Sequence, residues 1–461
     1  MLRTLNMARR EPAGDADRHR LPPGPRLPKW LQTVLALHDP VGFFERCRQR
    51  HGEVFRVGFI GIPPVAYVGD PDLAHQVFTT DRGIGQAGEA RKPFLEPLVG
   101  VNSLICLDGD DWMRQRRLLG SAFHGKRIER YREDIAAIAA AYVQEWPTAT
   151  EIRLRPRIQV ITLEIILRVV FGVRDARRVE RLHELLPPLL ASWESLNSVI
   201  SILPRSLWAR VEPVLARVPR NPVARFTDLF ARTDQVLYAE ITERRDADDL
   251  QDRADILSVL MRARDDDGSA MTDLELRDAL MTLIVAGHET TATGLAWAFE
   301  RLVRNPRVLD RLTRTIDGDE DDRGYLDAVI KETLRTRPVG PDMPRYLTGP
   351  LELGGYRIPA GWWVNPSATL LHNLPDHFAD PDDFRPERFL EADPPAWMPF
   401  GGGRRKCLGA QLAMLEMQAV IPAVLERYRV RMAGDDRPEK PLMRYATLVP
   451  SQDGRVIADR R

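Results

Sequence analysis

Apolar and polar positions alternate through "EVFRVGFI" and "PVAYV", two short runs separated by glycine and proline, and this period of two predicts a pair of strands. In "DPDLAHQVF" the apolar spacing changes to three and four, with Asp70 placed to cap a helix and Pro71 to open it. From about Trp112 to Asp310 the helical period dominates. Strand patterns return in "PLELGGYRIPAG" and "WWVNPS", and again in "YATLV" and "RVIA" near the end. Ahead of them, "LPPGPRLP" (Leu21–Pro28) reads as an extended lead-in, because proline locks φ and removes a donor. The pattern predicts a mainly α fold with small β-sheets (α+β), while length alone would suggest two or three domains.

The strongest helical signal runs from about Asp273 to Arg304, with Thr272 and Glu275 spaced for a capping box and Pro306 just past the end. At 1.5 Å per residue such a helix spans roughly 48 Å. Its middle, "LMTLIVAGHETTATGLAWAF", is apolar on nearly every face and should be buried. Yet Gly287, His288, Glu289, Thr290 and Thr291 sit at its centre. A glycine there costs about 1 kcal/mol relative to alanine, and buried polar groups cost more unless paired. A conflict of this kind marks a functional site, the plainer alternative being a kink with back-bonded threonines.

Composition narrows the classes. The 461 residues carry equal numbers of acidic and basic side chains, so nothing favours nucleic-acid binding. Cys47, Cys106 and Cys407 lie far apart and form no CxxC pair, which argues against a disulfide framework or structural zinc and suits a reducing cytoplasm. The N-terminus lacks a signal-peptide core, and the apolar run Trp30–Leu37 is far shorter than the ~20 residues of a membrane span. A soluble, monomeric chain is expected, with that run the one candidate for peripheral membrane contact.

Two motifs are decoys. "GIGQAG" (Gly83–Gly88) matches GxGxxG but follows a helix-like segment, and Pro93 and Pro97 interrupt what comes after, so a loop is expected rather than a dinucleotide site. "HETTA" lacks the second histidine of a zinc-binding HExxH.

Four other constellations converge. "KETLR" puts Glu332 and Arg335 on one helical face, and "FRPERF" offers Arg388. "DDWMRQRR" puts Trp112 and Arg116 on one face. The centre of the long helix contains A-G-x-E-T-T. Finally, "FGGGRRKCLG" fills every fixed position of F-G-x-G-x-R-x-C-x-G: Phe400, Gly401, Gly403, Arg405, Cys407 and Gly409. With these motifs in this order, the chain from about Leu21 onward resembles the cytochrome P450 family of haem-thiolate monooxygenases.

The resemblance implies a single domain over residues 21–461 behind a flexible tail of residues 1–20, a triangular, mostly helical prism enclosing haem b, with Cys407 as the axial ligand of the iron. A thiolate ligand favours O–O cleavage, and a helix N-terminus beside the sulfur favours its ionised form. Phe400 would shield the sulfur, and Gly409 would open the helix beside it. Trp112, Arg116, Arg345 and Arg405 would meet the haem propionates, guanidinium being the fork that fits a carboxylate. Glu332, Arg335 and Arg388 would form a structural triad behind the haem. Glu289 and Thr290 would be the acid and alcohol that relay protons in oxygen activation, a pair favouring reductive chemistry over a peroxygenase or isomerase; a non-catalytic haem sensor is the rival from another class. The pocket would be lined by Met281, Ile284, Val285, Ala286, Val339 and Tyr445, and by residues 84–101 and about 185–218, suiting a lipophilic substrate such as a fatty acid, terpenoid or steroid. Electrons would come from NAD(P)H through a reductase and a ferredoxin or flavodoxin-like donor, docking on a basic patch of Arg114, Arg117, Lys126, Arg127, Arg404 and Lys406.

Overall fold

The capping box forms. The Glu275 amide donates to Thr272 Oγ1, and the Glu275 carboxylate accepts the Thr272 amide at 2.8 Å. The helix they open runs over Asp273–Arg304 and ends at Asn305, one residue before Pro306. The computed structural model describes residues 20–123, 128–200, 221–319, 322, 324–435, 437–444 and 446–461. Within these the long helix is the axis of the core: Leu280, Ile284, Leu295 and Phe299 are fully buried in one apolar cluster with Leu415 and Val420 of the helix Ala410–Leu425. The helix Leu154–Ile165 packs along it, and the helix Tyr325–Thr336 crosses it nearer its C-terminal end.

Helix continues unbroken across Gly287, with no break where the kink was the plainer alternative. The glycine serves a close approach instead. A Cβ there would lie 3.1 Å from Ile166 Cδ1, on the wide helical turn Ile166–Val170 that follows Leu154–Ile165.

The strands read from the sequence form. Val54–Val57 pairs antiparallel with Val65–Val68. That hairpin extends into a five-stranded sheet, in the order Val54–Val57, Val65–Val68, Trp363–Pro366, Arg345–Leu347, Gly85–Gln86. The second and third strands run parallel, with Tyr67 opposite Asn365. Smaller sheets join Leu351–Leu353 to Tyr356–Ile358, Pro441–Arg444 to Thr447–Pro450, and Thr150–Arg153 to Arg455–Arg460 and Tyr428–Met432.

One expectation fails. The segment after "GIGQAG" is not broken by its prolines: Ala87–Val99 is one helix with Pro93 and Pro97 inside it. Its N-terminal amides are satisfied from a distance, Gly88 and Glu89 donating to the two carboxylate oxygens of Asp108 at 2.9 and 2.7 Å. A charged acceptor at a helix N-terminus offsets part of what proline removes. Asp70 caps the Pro71–Thr79 helix as expected, accepting from Leu73 at 2.8 Å.

Candidate active site

The cysteine loop is shaped by its glycines. Gly401 and Gly403 both have positive φ, which a residue with a Cβ adopts only with strain. The turn brings the Cys407 amide onto the Phe400 carbonyl at 2.9 Å. The helix Ala410–Leu425 begins beyond it with Gly409 at its N-cap. Cys407 lies deep in the fold yet counts as exposed, because the surface it presents is the wall of an internal cavity. Burial pushes its thiol up; the Gly409 amide, Arg116 and Lys406 oppose that rise by favouring the thiolate. Cys47 and Cys106 are fully buried in apolar surroundings, and burial drives each to about 12.

Behind this loop Glu332 and Arg335, both essentially inaccessible, form a two-point pair at 2.7 and 2.8 Å. Arg388 Nε reaches the same carboxylate at 3.2 Å, and the Arg385 amide at 2.8 Å. Arg335 also donates to the carbonyls of His372 and Asp383. His372 carries the network to the loop: its Nε2 accepts the Met398 amide at 2.9 Å, and the Gly401 amide bonds the Met398 carbonyl.

The cavity measures about 1160 Å³. Trp112, Arg116, Arg345, Phe400, Arg405, Cys407 and Gly409 all line it. Arg405 stacks over the Trp112 ring at 4.2 Å. Arg345 pairs with Asp81 and Arg405 with Asp108, while Arg405 Nε is buried without a partner among the described residues. Arg91 falls in the stretch 84–101 expected to line the cavity, but sequence reasoning did not single it out as a charge there. Burial lowers its guanidinium to about 10, with Arg345 and Arg405 adding repulsion. Arg91 and Arg116 have no ion-pair partner among the described residues. Nothing local marked Arg91 in the sequence, since its neighbours come from other parts of the chain.

The long helix contributes Val285, Ala286, Gly287, Glu289 and Thr290 to the same cavity. Met281 and Ile284 do not line it. A helix turns by about 100° per residue, and these positions face the core, fully buried. Val339 lines the cavity; Tyr445 lies outside the described residues, as do residues 201–220. Thr290 Oγ1 donates to the Ala286 carbonyl at 2.6 Å. Glu289 accepts from Arg155 at 2.6 Å and from Gln159 at 2.5 Å, and Arg155 continues to Asp453 at 3.2 Å. His288 is a satisfied core histidine: it contacts the Thr162 hydroxyl, and burial lowers it to about 4.

The expected basic patch is partly neutralised within the chain. Arg114 pairs with Asp265 and Glu275, and Arg117 with Asp265 and Asp266. Lys126 and Arg127 lie outside the described residues. No described helix is long and apolar enough to cross a membrane.

Residues 22–458 match the family model described as Cytochrome P450. A Mycobacterium tuberculosis protein under the provisional name cytochrome P450 135B1 is 40% identical over 445 residues, covering 95% of this chain and 91% of its own. A second from that organism, provisionally cytochrome P450 135A1, is 36% identical over 451 residues and 96% of each chain. Among solved structures, a retinoic acid-bound cyanobacterial CYP120A1 superposes with a TM-score of 0.80 at 24% identity, over 96% of this chain and 100% of that one. The heme domain of a cytochrome P450DA does so equally well, over 96% of this chain and 98% of its own, at 23% identity.

Proposed function

The chain belongs to the cytochrome P450 family, and on that premise we propose that residues 21–461 form one catalytic unit that inserts an atom of dioxygen into a lipophilic substrate, using electrons that originate in NAD(P)H and arrive through a ferredoxin or flavodoxin-like donor. The observation carrying this reading is that Cys407 and the Glu289–Thr290 pair line one cavity.

The family implies haem b, and the donor set fits it. Of the three cysteines only Cys407 lines the cavity, and its sulfur would hold the iron. Two lining guanidiniums without a carboxylate partner, Arg91 and Arg116, match the two propionates in charge, and the unpartnered Nε of Arg405 leaves a further donor free. When bound through a thiolate, haem supplies the reductive activation of dioxygen.

The chain's own residues would then do the following. Cys407 holds the group, its charge favoured by the Gly409 amide, and Phe400 shields the sulfur. Trp112 keeps Arg405 flat by stacking, and Arg91, Arg116, Arg345 and Arg405 orient the propionates. Glu332, Arg335 and Arg388 brace the loop through His372 without taking part in chemistry. Glu289, at the end of the Arg155–Asp453 ion-pair chain, would relay a proton, and Thr290 would hand it on by turning its hydroxyl from Ala286.

The test has two arms. Reduced, carbon monoxide-treated protein should show the long-wavelength Soret band of thiolate ligation; Cys407→Ala should abolish it, and Cys47→Ala and Cys106→Ala should retain it. Turnover with a reduced ferredoxin and isotopically labelled dioxygen should place one label per product molecule. Product formed only from added hydrogen peroxide would instead identify a peroxygenase.

A further inference from the structure

Asp342 stands out within a largely apolar cavity. It follows the helix Tyr325–Thr336, lies three residues before Arg345 in the chain, and lines the cavity wall together with Tyr67 and Asn365. Two neighbouring strands hold it. Tyr67 on Val65–Val68 donates its hydroxyl to Oδ2 at 3.4 Å. Asn365 on Trp363–Pro366, directly opposite Tyr67 in the parallel pairing, spends its Oδ1 on the Met343 amide at 2.8 Å. That bond turns the Asn365 side-chain NH₂ toward Asp342, where its hydrogen bond favours the carboxylate. Tyr67 and Asn365 are themselves buried, at 4% and 2% exposure, so the bracing is fixed by the sheet.

The carboxylate is otherwise alone. Among the described residues no cation pairs with Asp342. Burial raises it to about 6, which leaves it mostly charged at neutral pH. Aromatic side chains line the same cavity: Phe44 stacks on Tyr67 at 4.2 Å, and Phe94 meets the edge of Trp363. A charged group in such a wall costs stability unless something in the cavity answers it. Two donors from the protein leave acceptor capacity on a group that can take about four hydrogen bonds.

We propose that Asp342, braced by Tyr67 and Asn365, is a substrate anchor that selects lipophilic molecules carrying a hydrogen-bond donor or a positive charge, a hydroxyl or an ammonium group, and rejects carboxylates. This rests on the monooxygenase reading of the cavity and narrows its substrate class. Terpenoid and steroid alcohols and lipophilic amines fit it. Fatty acids do not, because their carboxylate would face a like charge in a low-dielectric wall.

The experiment uses the haem-loaded protein and four probes of one chain length: decane, 1-decanol, decyltrimethylammonium and decanoate. Binding is measured by calorimetry, which reads affinity without turnover. Wild-type protein should bind the alcohol and the cation more tightly than decane, and decanoate most weakly. Asp342→Asn keeps the shape and removes the charge. It should weaken alcohol and cation binding by about tenfold, leave decane unchanged and improve decanoate. Asp342→Glu should keep the preference for the cation over decanoate. Equal binding of all four probes, no binding of any, or a profile unchanged in Asp342→Asn would each overturn the proposal. Failure of the underlying reading would look different, since wild-type protein would then lack the thiolate Soret band before any probe is added.

Discussion

Arg405 and Asp108 are joined by an ion pair, and the same Asp108 carboxylate caps the helix Ala87–Val99 through the Gly88 and Glu89 amides. One side chain therefore ties the cysteine loop to a helix that begins more than three hundred residues earlier in the chain. Asp108→Ala should remove both connections. Loss of the cap alone costs about 1 kcal/mol. Urea unfolding of the haem-loaded protein should report at least that loss, whereas Asp108→Asn, which can still accept from an amide, should lose less. Equal stability of all three proteins would mean that the helix does not depend on this carboxylate.

The Glu332 carboxylate takes bonds from Arg335, Arg385 and Arg388 in a site closed to solvent. Removing it leaves Arg335 buried and charged without a counter-ion, a defect of about 3–5 kcal/mol. Glu332→Ala should accordingly give haem-poor or insoluble protein. Purification of a fully loaded, stable variant, judged by the ratio of Soret to protein absorbance, would remove the bracing role from this residue.

His372 should set part of the acid limb of stability. Its Nε2 accepts the Met398 amide, so the neutral ring is the form the fold needs, with the proton on Nδ1 facing the Arg335 carbonyl. Burial first, and then the Arg335 charge, lower it to about 3 from an ordinary 6.5. Below the ordinary value the unfolded chain binds a proton that the folded chain refuses. Stability from this group is therefore complete above that pH and declines as pH falls toward about 3. Its slope can reach about 1.4 kcal/mol per pH unit. His372→Gln, which keeps an acceptor and cannot titrate, should have a shallower decline in chemical denaturation between those limits.

Thr290→Ala should separate oxygen consumption from product formation. Among the described residues the hydroxyl bonds only its own helix, to Ala286, so its loss should leave haem content and substrate binding nearly unchanged. Without a group to pass on the proton, more of the electrons should end in hydrogen peroxide and fewer in product. Reductant, peroxide and product are measured together. A product yield per electron equal to that of the parent, with peroxide at background, would move the role to Thr291 or to an ordered water.

Local spacing and local chemistry were enough for much of this site. Glu332 and Arg335 meet because three residues on a helix share a face. The capping box at Thr272 and the cap at Asp70 act within one turn. The glycines before Cys407 announce a backbone that only they can adopt. Such features depend on neighbours a few positions away, and the sequence states those neighbours directly.

Tertiary structure decided the rest, because the partners come from distant segments. Prolines 93 and 97 argued against the helix that the Asp108 carboxylate caps. Arg114 and Arg117 read as free cations until Asp265, Asp266 and Glu275 came beside them. Ile284 faced the core instead of the cavity, a matter of rotation about the long helix that apolar spacing cannot resolve when every face is apolar. Arg91 and Asp342 had no local signal. A lone charged residue in sequence reads as surface, and only the fold that closes over it turns its charge into a site.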